Sequence, residues 1–72
     1  MLLTDEERIR FADYLERDAS SNDGMAKQLE GNDRLPDAIR ITLVKQKRTL
    51  AMAQMIVAKE LRSAESFSVG GK

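Results

Sequence analysis

Four cations of the sequence gather where an anion could be held. Arg40, Lys45, Lys47 and Arg48 fall within residues 38–49, a stretch with no acid and a local balance of plus four. Arginine grips phosphate oxygens bidentately, and lysine adds a mobile point charge. The chemistry this offers is capture of a phosphate-bearing ligand. On a helix Arg40, Lys47 and Arg48 lie on neighbouring strips, with Lys45 more to one side. The plainer reading is a solvated face that neutralises the acidic start of another helix. Residues 1–23 supply such a counter-charge: seven acids stand against Arg8, Arg10 and Arg17, a balance of minus four.

Little else in the chain could carry chemistry. It has no cysteine and no histidine, which excludes disulfides, thiolate nucleophiles, the usual zinc sites and histidine acid–base catalysis together. Tyr14, Thr42 and Thr49 therefore lack an activating partner, and the acids suit a helix start and solvent faces better than a catalytic pair. The stretch from Ala19 to Glu30 has the outline of a calcium loop, with Gly24 sixth and Glu30 twelfth. Its first position is Ala19, where an acid is needed. Met25 to Asn32 resembles the first half of a helix-turn-helix unit, but the turn glycine falls one residue late and Pro36 interrupts what should be a recognition helix. The formal net charge is zero, where a nucleic-acid binder is generally basic. A non-enzymatic protein without cofactor or metal is expected.

The elements that position these residues are two helices. Thr4-Asp5-Glu6-Glu7 is a capping box, with three acids complementing the helix dipole. Phe11, Ala12, Leu15, Ala19, Met25, Ala26 and Leu29 follow at steps that describe one apolar face. Gly31-Asn32-Asp33 closes the helix. Ser20 to Gly24 are weak helix formers and mark a possible break, yet the apolar phase continues through them, which favours one long helix. The second helix opens at Leu35-Pro36-Asp37, with proline suited to the first helical position. Ile39, Leu43, Gln46, Leu50, Ala53, Val57 and Leu61 alternate at four and three, the seam of a helix packed on its neighbour. The short connection from Gly31 to Leu35 makes the helices antiparallel. The expected fold is therefore all-α: an antiparallel hairpin over residues 1–66 with a flexible tail at 67–72, in which Phe67 is the one large apolar residue that could anchor a partner.

Seventy-two residues are few for a stable core, and without disulfides or a metal self-association is the usual remedy. Leu50 to Ala58 is apolar but for Gln54, so a single partner helix covers only one of its stripes. Leu50, Met52, Met55 and Ile56 are the expected oligomer interface, within a helix bundle. A competing use of the methionine-rich face is to receive another protein's helix. No apolar run approaches the roughly 20 residues of a spanning helix, and the start lacks a basic leader, which points to the cytoplasm.

The acidic capped start with Arg10-Phe11-Ala12-Asp13-Tyr14-Leu15-Glu16, the mid-chain Leu35-Pro36 and the closing Ala58-Lys59-Glu60-Leu61-Arg62-Ser63 resemble short helical accessory proteins of bacteriophages and prophages. That resemblance implies a protein acting in the host cytoplasm, for which blocking a host defence is one job. A second similarity links Leu35-Pro36 through Thr42-Leu43 to Met52 with the long helix of phage anti-CBASS cyclic-nucleotide sponges, oligomeric hairpins that sequester signalling nucleotides. The chain lacks the tryptophan common late in that helix, and no binding residue is carried over. The expected partners are further copies of the chain and either a phosphate-bearing small molecule or a host protein. A small DNA-binding regulator is the remaining class.

Overall fold

The computed structural model describes residues 3–63. The expected tail at 67–72, with Phe67, and the end of the hairpin domain at residues 64–66 lie outside the described residues. Two helices of 26 residues each, α1 (Asp5–Glu30) and α2 (Asp37–Arg62), pack against one another as an antiparallel hairpin.

The start of α1 is the reciprocal cap that its sequence calls for. The Glu7 N–H donates to the Thr4 hydroxyl at 3.1 Å, and the Thr4 N–H donates to the Glu7 carboxylate at 2.9 Å. Two of the helix's unpaired donors are thereby satisfied. At its end Gly31 sits at an ordinary φ of −89°, so the left-handed conformation available to glycine is not used. Asn32 tightens the connection by accepting from the Arg34 N–H at 3.0 Å through its side chain. Pro36 precedes the first residue of α2 and occupies the cap position, one residue earlier than its sequence context suggests.

Helix α1 runs unbroken through Ser20–Gly24. The weak helix formers are tolerated because of where they point. Asn22 is buried against α2, where its amide donates to Gln54 at 2.9 Å. A Cβ on Gly24 would meet nothing within 4 Å, so that position faces open space and its cost is intrinsic propensity alone, about 1 kcal/mol.

The contact between the helices is a heptad seam of small residues. On α1 it runs through Arg8, Ala12, Leu15, Ala19, Asn22, Ala26 and Leu29, and on α2 through Arg40, Val44, Lys47, Ala51, Gln54, Ala58 and Leu61, each buried or half-buried. The buried apolar residues are Ala12, Ala19, Ala26, Val44, Ala51 and Ala58. Every seventh residue is thus alanine or valine, and the antiparallel run brings Ala12, Ala19 and Ala26 of α1 to the seam with Val44, Ala51 and Ala58 of α2.

This corrects the seam expected on α2. Ile39, Leu50, Ala53 and Val57 are exposed, Gln46 is exposed as well, Leu43 is half-buried beside the contact, and of the expected track only Leu61 belongs to it. The observed seam lies one residue round the helix. Close approach of two helices selects small side chains over the most apolar ones, because a leucine at the line of contact would hold the axes apart. On α1 the same rule leaves Phe11 and Met25 outside, 47% and 40% exposed, although they share the apolar periodicity.

Across the seam, the hairpin has two broad faces. One carries Ile41, Arg48, Met52 and Met55 of α2 beside Glu16, Ser20 and Asp23 of α1, and is called the groove face below. At 3.6 residues per turn, Ile39, Leu43, Leu50, Val57 and Leu61 fall on the opposite flank of α2, and Phe11, Met25 and Leu29 on the matching flank of α1. This is the aromatic face.

Candidate anion-binding groove

Three of the four cations expected to hold an anion converge on one groove. Arg40, Lys45 and Arg48 line it together with Glu30, Ile41, Val44, Thr49 and Met52, enclosing about 580 Å³ at the loop end of the groove face. Helical spacing brings two of them together: Ile41, Lys45, Arg48 and Met52 recur at four, three and four along one flank of α2, and Arg40 reaches the groove from its seam position. Lys47 does not join them. It lies in the seam, half-buried, and does not line the groove.

The groove's charge is partly spoken for. Arg48 donates to the Glu30 carboxylate at 2.8 Å across the hairpin. Arg40 donates to Asp37 at 2.7 Å within its own helix and to the Asn32 carbonyl at 3.4 Å. Lys45 has no ion-pair partner among the described residues. Three cations against Glu30 and Asp37 leave plus one. Both acids are surface groups, with Asp37 82% and Glu30 48% exposed at the side chain, so an arriving phosphate competes with weak, solvent-screened pairs. Of the remaining walls Ile41, Val44 and Met52 are apolar, and Thr49 adds a hydroxyl. The groove therefore suits a ligand with one anionic group and one flat or apolar part.

A second groove continues along the same face, lined by Glu16, Ala19, Ser20, Asp23, Arg48, Ala51, Met52 and Met55. Arg48 and Met52 belong to both. The second groove is acidic on its α1 side, which confines an anion to the loop end.

At the far end of this face, Arg62 holds α1 with a fork that sequence reading did not single out. It donates to both carboxylate oxygens of Glu16 at 2.9 Å and to Asp13. The hydrogen bonds from Arg62 hold the Glu16 carboxyl below its ordinary value, against a smaller opposing effect of partial burial. The same bonds push the Arg62 guanidinium further above its already high range. The acidic residues 1–23 are thus neutralised in part by the end of α2, while the basic run at 38–49 pairs with α1 at Glu30.

A pH dependence follows. Glu16 has a depressed folded pKa, so its contribution is fully present above the unfolded glutamate value of about 4.3 and is lost as the pH falls through the folded value. Wild-type protein is expected to exceed Glu16→Gln in urea resistance at neutral pH, with the two midpoints converging in acid. Parallel midpoints across that range would remove the pair as a stabilising contact.

The expected interface residues do not form one patch. Met52 and Met55 are on the groove face and Ile56 is at its outer margin, whereas Leu50 is on the aromatic face. All four are exposed, Met52 most of all at 65%. Among the described residues no group of carboxylates gathers where it could hold a metal ion, and no helix is long and apolar enough to cross a membrane. The chain matches no family model, no curated protein and no solved structure.

Proposed function

We propose that this chain is a non-enzymatic binding protein that works as an oligomer of hairpins and captures a phosphate-bearing ligand. One observation carries the oligomer. The hairpin buries five alanines and a valine, while eleven large apolar side chains of the described residues, from Ile9 to Val57, are 40% exposed or more. Fully burying such a side chain stabilises by about 1.5–3 kcal/mol. Covering even half of these surfaces would outweigh the contribution of the alanine methyls, at about 0.8 kcal/mol each. A second hairpin completes the core that one lacks.

Capture is supported by the convergence of Arg40, Lys45 and Arg48 on an apolar-walled groove. A signalling nucleotide has the required parts, a phosphate for the cations and a base for Ile41 and Met52. The resemblance to phage accessory proteins puts such capture in the service of blocking a host defence.

Light scattering on the purified protein is expected to give a multiple of the 8.1 kDa chain mass. A monomer at micromolar concentration would sink the oligomer. Calorimetry against cyclic nucleotides is expected to show heat that Lys45→Ala with Arg48→Ala abolishes. No heat from the intact assembly would end the nucleotide reading while leaving the oligomer standing.

A further inference from the structure

We infer that the aromatic face is where two copies of the chain meet, with the polar cluster Asp18–Asn22–Gln54 at the centre of the contact. This rests on the self-association proposed above and names the surface that performs it. The face carries Phe11, Tyr14 and Met25 of α1 and Ile39, Leu50 and Val57 of α2, each between 40% and 59% exposed. Phe11 and Tyr14 are stacked on each other, centroids 6.4 Å apart and planes 14° from parallel. They form a preassembled aromatic knob.

Charge separates this face from its opposite. Every ion pair that crosses between the helices lies on the groove face among the described residues: Arg62 with Asp13 and Glu16, and Arg48 with Glu30. Docking there would desolvate pairs already made, at a cost that burial seldom repays. On the aromatic face the flank of α2 through Ile39, Leu43, Leu50, Val57 and Leu61 contains no charged residue. That flank offers no charge to match in a foreign partner. On the α1 side Asp18 lies at the centre, accepting from Gln54, and Arg10 and Arg17 stand beside Tyr14, so the apolar α2 half is the part complementary to itself, as a two-fold contact requires.

The extent of the face is also that of a dimer contact. A phenylalanine or tyrosine offers about 150–250 Å² for burial, so side chains half exposed supply on the order of 100 Å² each. Six of them give roughly 500–600 Å², and the half-buried Leu15, Leu29, Leu43 and Leu61 beside them extend the patch toward the roughly 800 Å² per partner of a stable complex.

The centre of the face is polar and internally arranged. Gln54 donates to Asp18 at 2.5 Å and accepts from Asn22 at 2.9 Å. Each amide carries two N–H donors and uses one in this chain of bonds. Asn22 is buried in the seam, so the N–H offered across the contact is that of the half-buried Gln54. A polar layer within an apolar interface fixes register and partner number, as a single buried asparagine does in coiled coils.

The absence of cysteine allows a clean test. Leu50→Cys and Met52→Cys each introduce one thiol, two residues apart on opposite faces. In the full-length protein the thiol of Leu50→Cys is expected to react with a maleimide at least an order of magnitude more slowly than that of Met52→Cys, and denaturant should equalise them. In parallel, Leu50→Glu is expected to reduce the native mass to that of one chain, while Met52→Glu leaves it unchanged. Equal thiol rates in a protein of multimeric mass, or dissociation by Met52→Glu, would overturn the aromatic face as the contact. A wild type already at the mass of one chain would instead overturn the oligomer itself.

Discussion

Ala51→Leu is expected to destabilise the protein by about 1–3 kcal/mol, the usual cost of forcing extra methylenes into a closed contact. Ala53→Leu, two residues further on, is expected to change stability by no more than about 0.5 kcal/mol, as surface substitutions generally do. The chemistry of the two substitutions is identical, and leucine has nearly the helix propensity of alanine. Only position differs. Ala51 is 8% exposed in the seam, whereas Ala53 faces solvent. Urea unfolding at matched chain concentration measures both, since an associating protein gains stability with concentration. If Ala53→Leu proved the damaging change, the seam would run where Leu50 and Val57 are, and the faces described above would be exchanged.

Arg8→Ala carries a comparable penalty by a different route. Arg8 is buried, 9% exposed, yet it is charged. It donates to the Leu61 carbonyl at 2.5 Å and to Asp5 at 2.7 Å. The Leu61 carbonyl is one of the four at the end of α2 with no partner inside the helix. Arg8 satisfies it from the neighbouring helix while placing positive charge at the negative end of the dipole. Its stem also fills the seam position before Ala12. Removing it is expected to cost about 1.5–3 kcal/mol, the range for hydrogen bonds to charged groups. Arg8→Lys should recover only part of that loss, because a single ammonium lacks the planar fork that reaches two acceptors. Hydrogen exchange in the last turn of α2 should rise in Arg8→Ala along with the fall in urea midpoint. Faster exchange confined to α1 would contradict this account.

Much of the hairpin was legible in the residues. The capping box at Thr4–Glu7, the glycine at 31, the proline at 36 and the short connection all act locally, and local signals survive into the structure. The seam on α2 was harder to place. Both candidate tracks repeat at four and three, and the track through Leu50 and Val57 is the more apolar. The choice between them depends on how closely the axes approach, which the facing alanines of α1 decide, and that is a property of the pair of helices. The same limit applies to the groove. Lys45 and Arg48 fall on one flank of α2, whereas Arg40 lies in the seam on the same strip as Lys47 and joins them only at the loop end, where the groove is lined by its side chain and not by that of Lys47. Arg62 carries no signal of its own in the sequence, because its partners Asp13 and Glu16 are brought to it only by the hairpin.

The weak middle of α1 has a consequence for the order of assembly. Ser20, Ser21, Asn22, Asp23 and Gly24 gain little by being helical alone, and Asn22 acquires its hydrogen bond only when Gln54 arrives. Helix α2 has no glycine or proline from Asp37 to Arg62 and can propagate by itself. Although α1 leaves the ribosome first, its two halves are expected to wait as separate short helices until α2 provides the track along which they join. The nucleus of the hairpin is then the later half of the chain, and the last turns to set are those in the middle of the first helix.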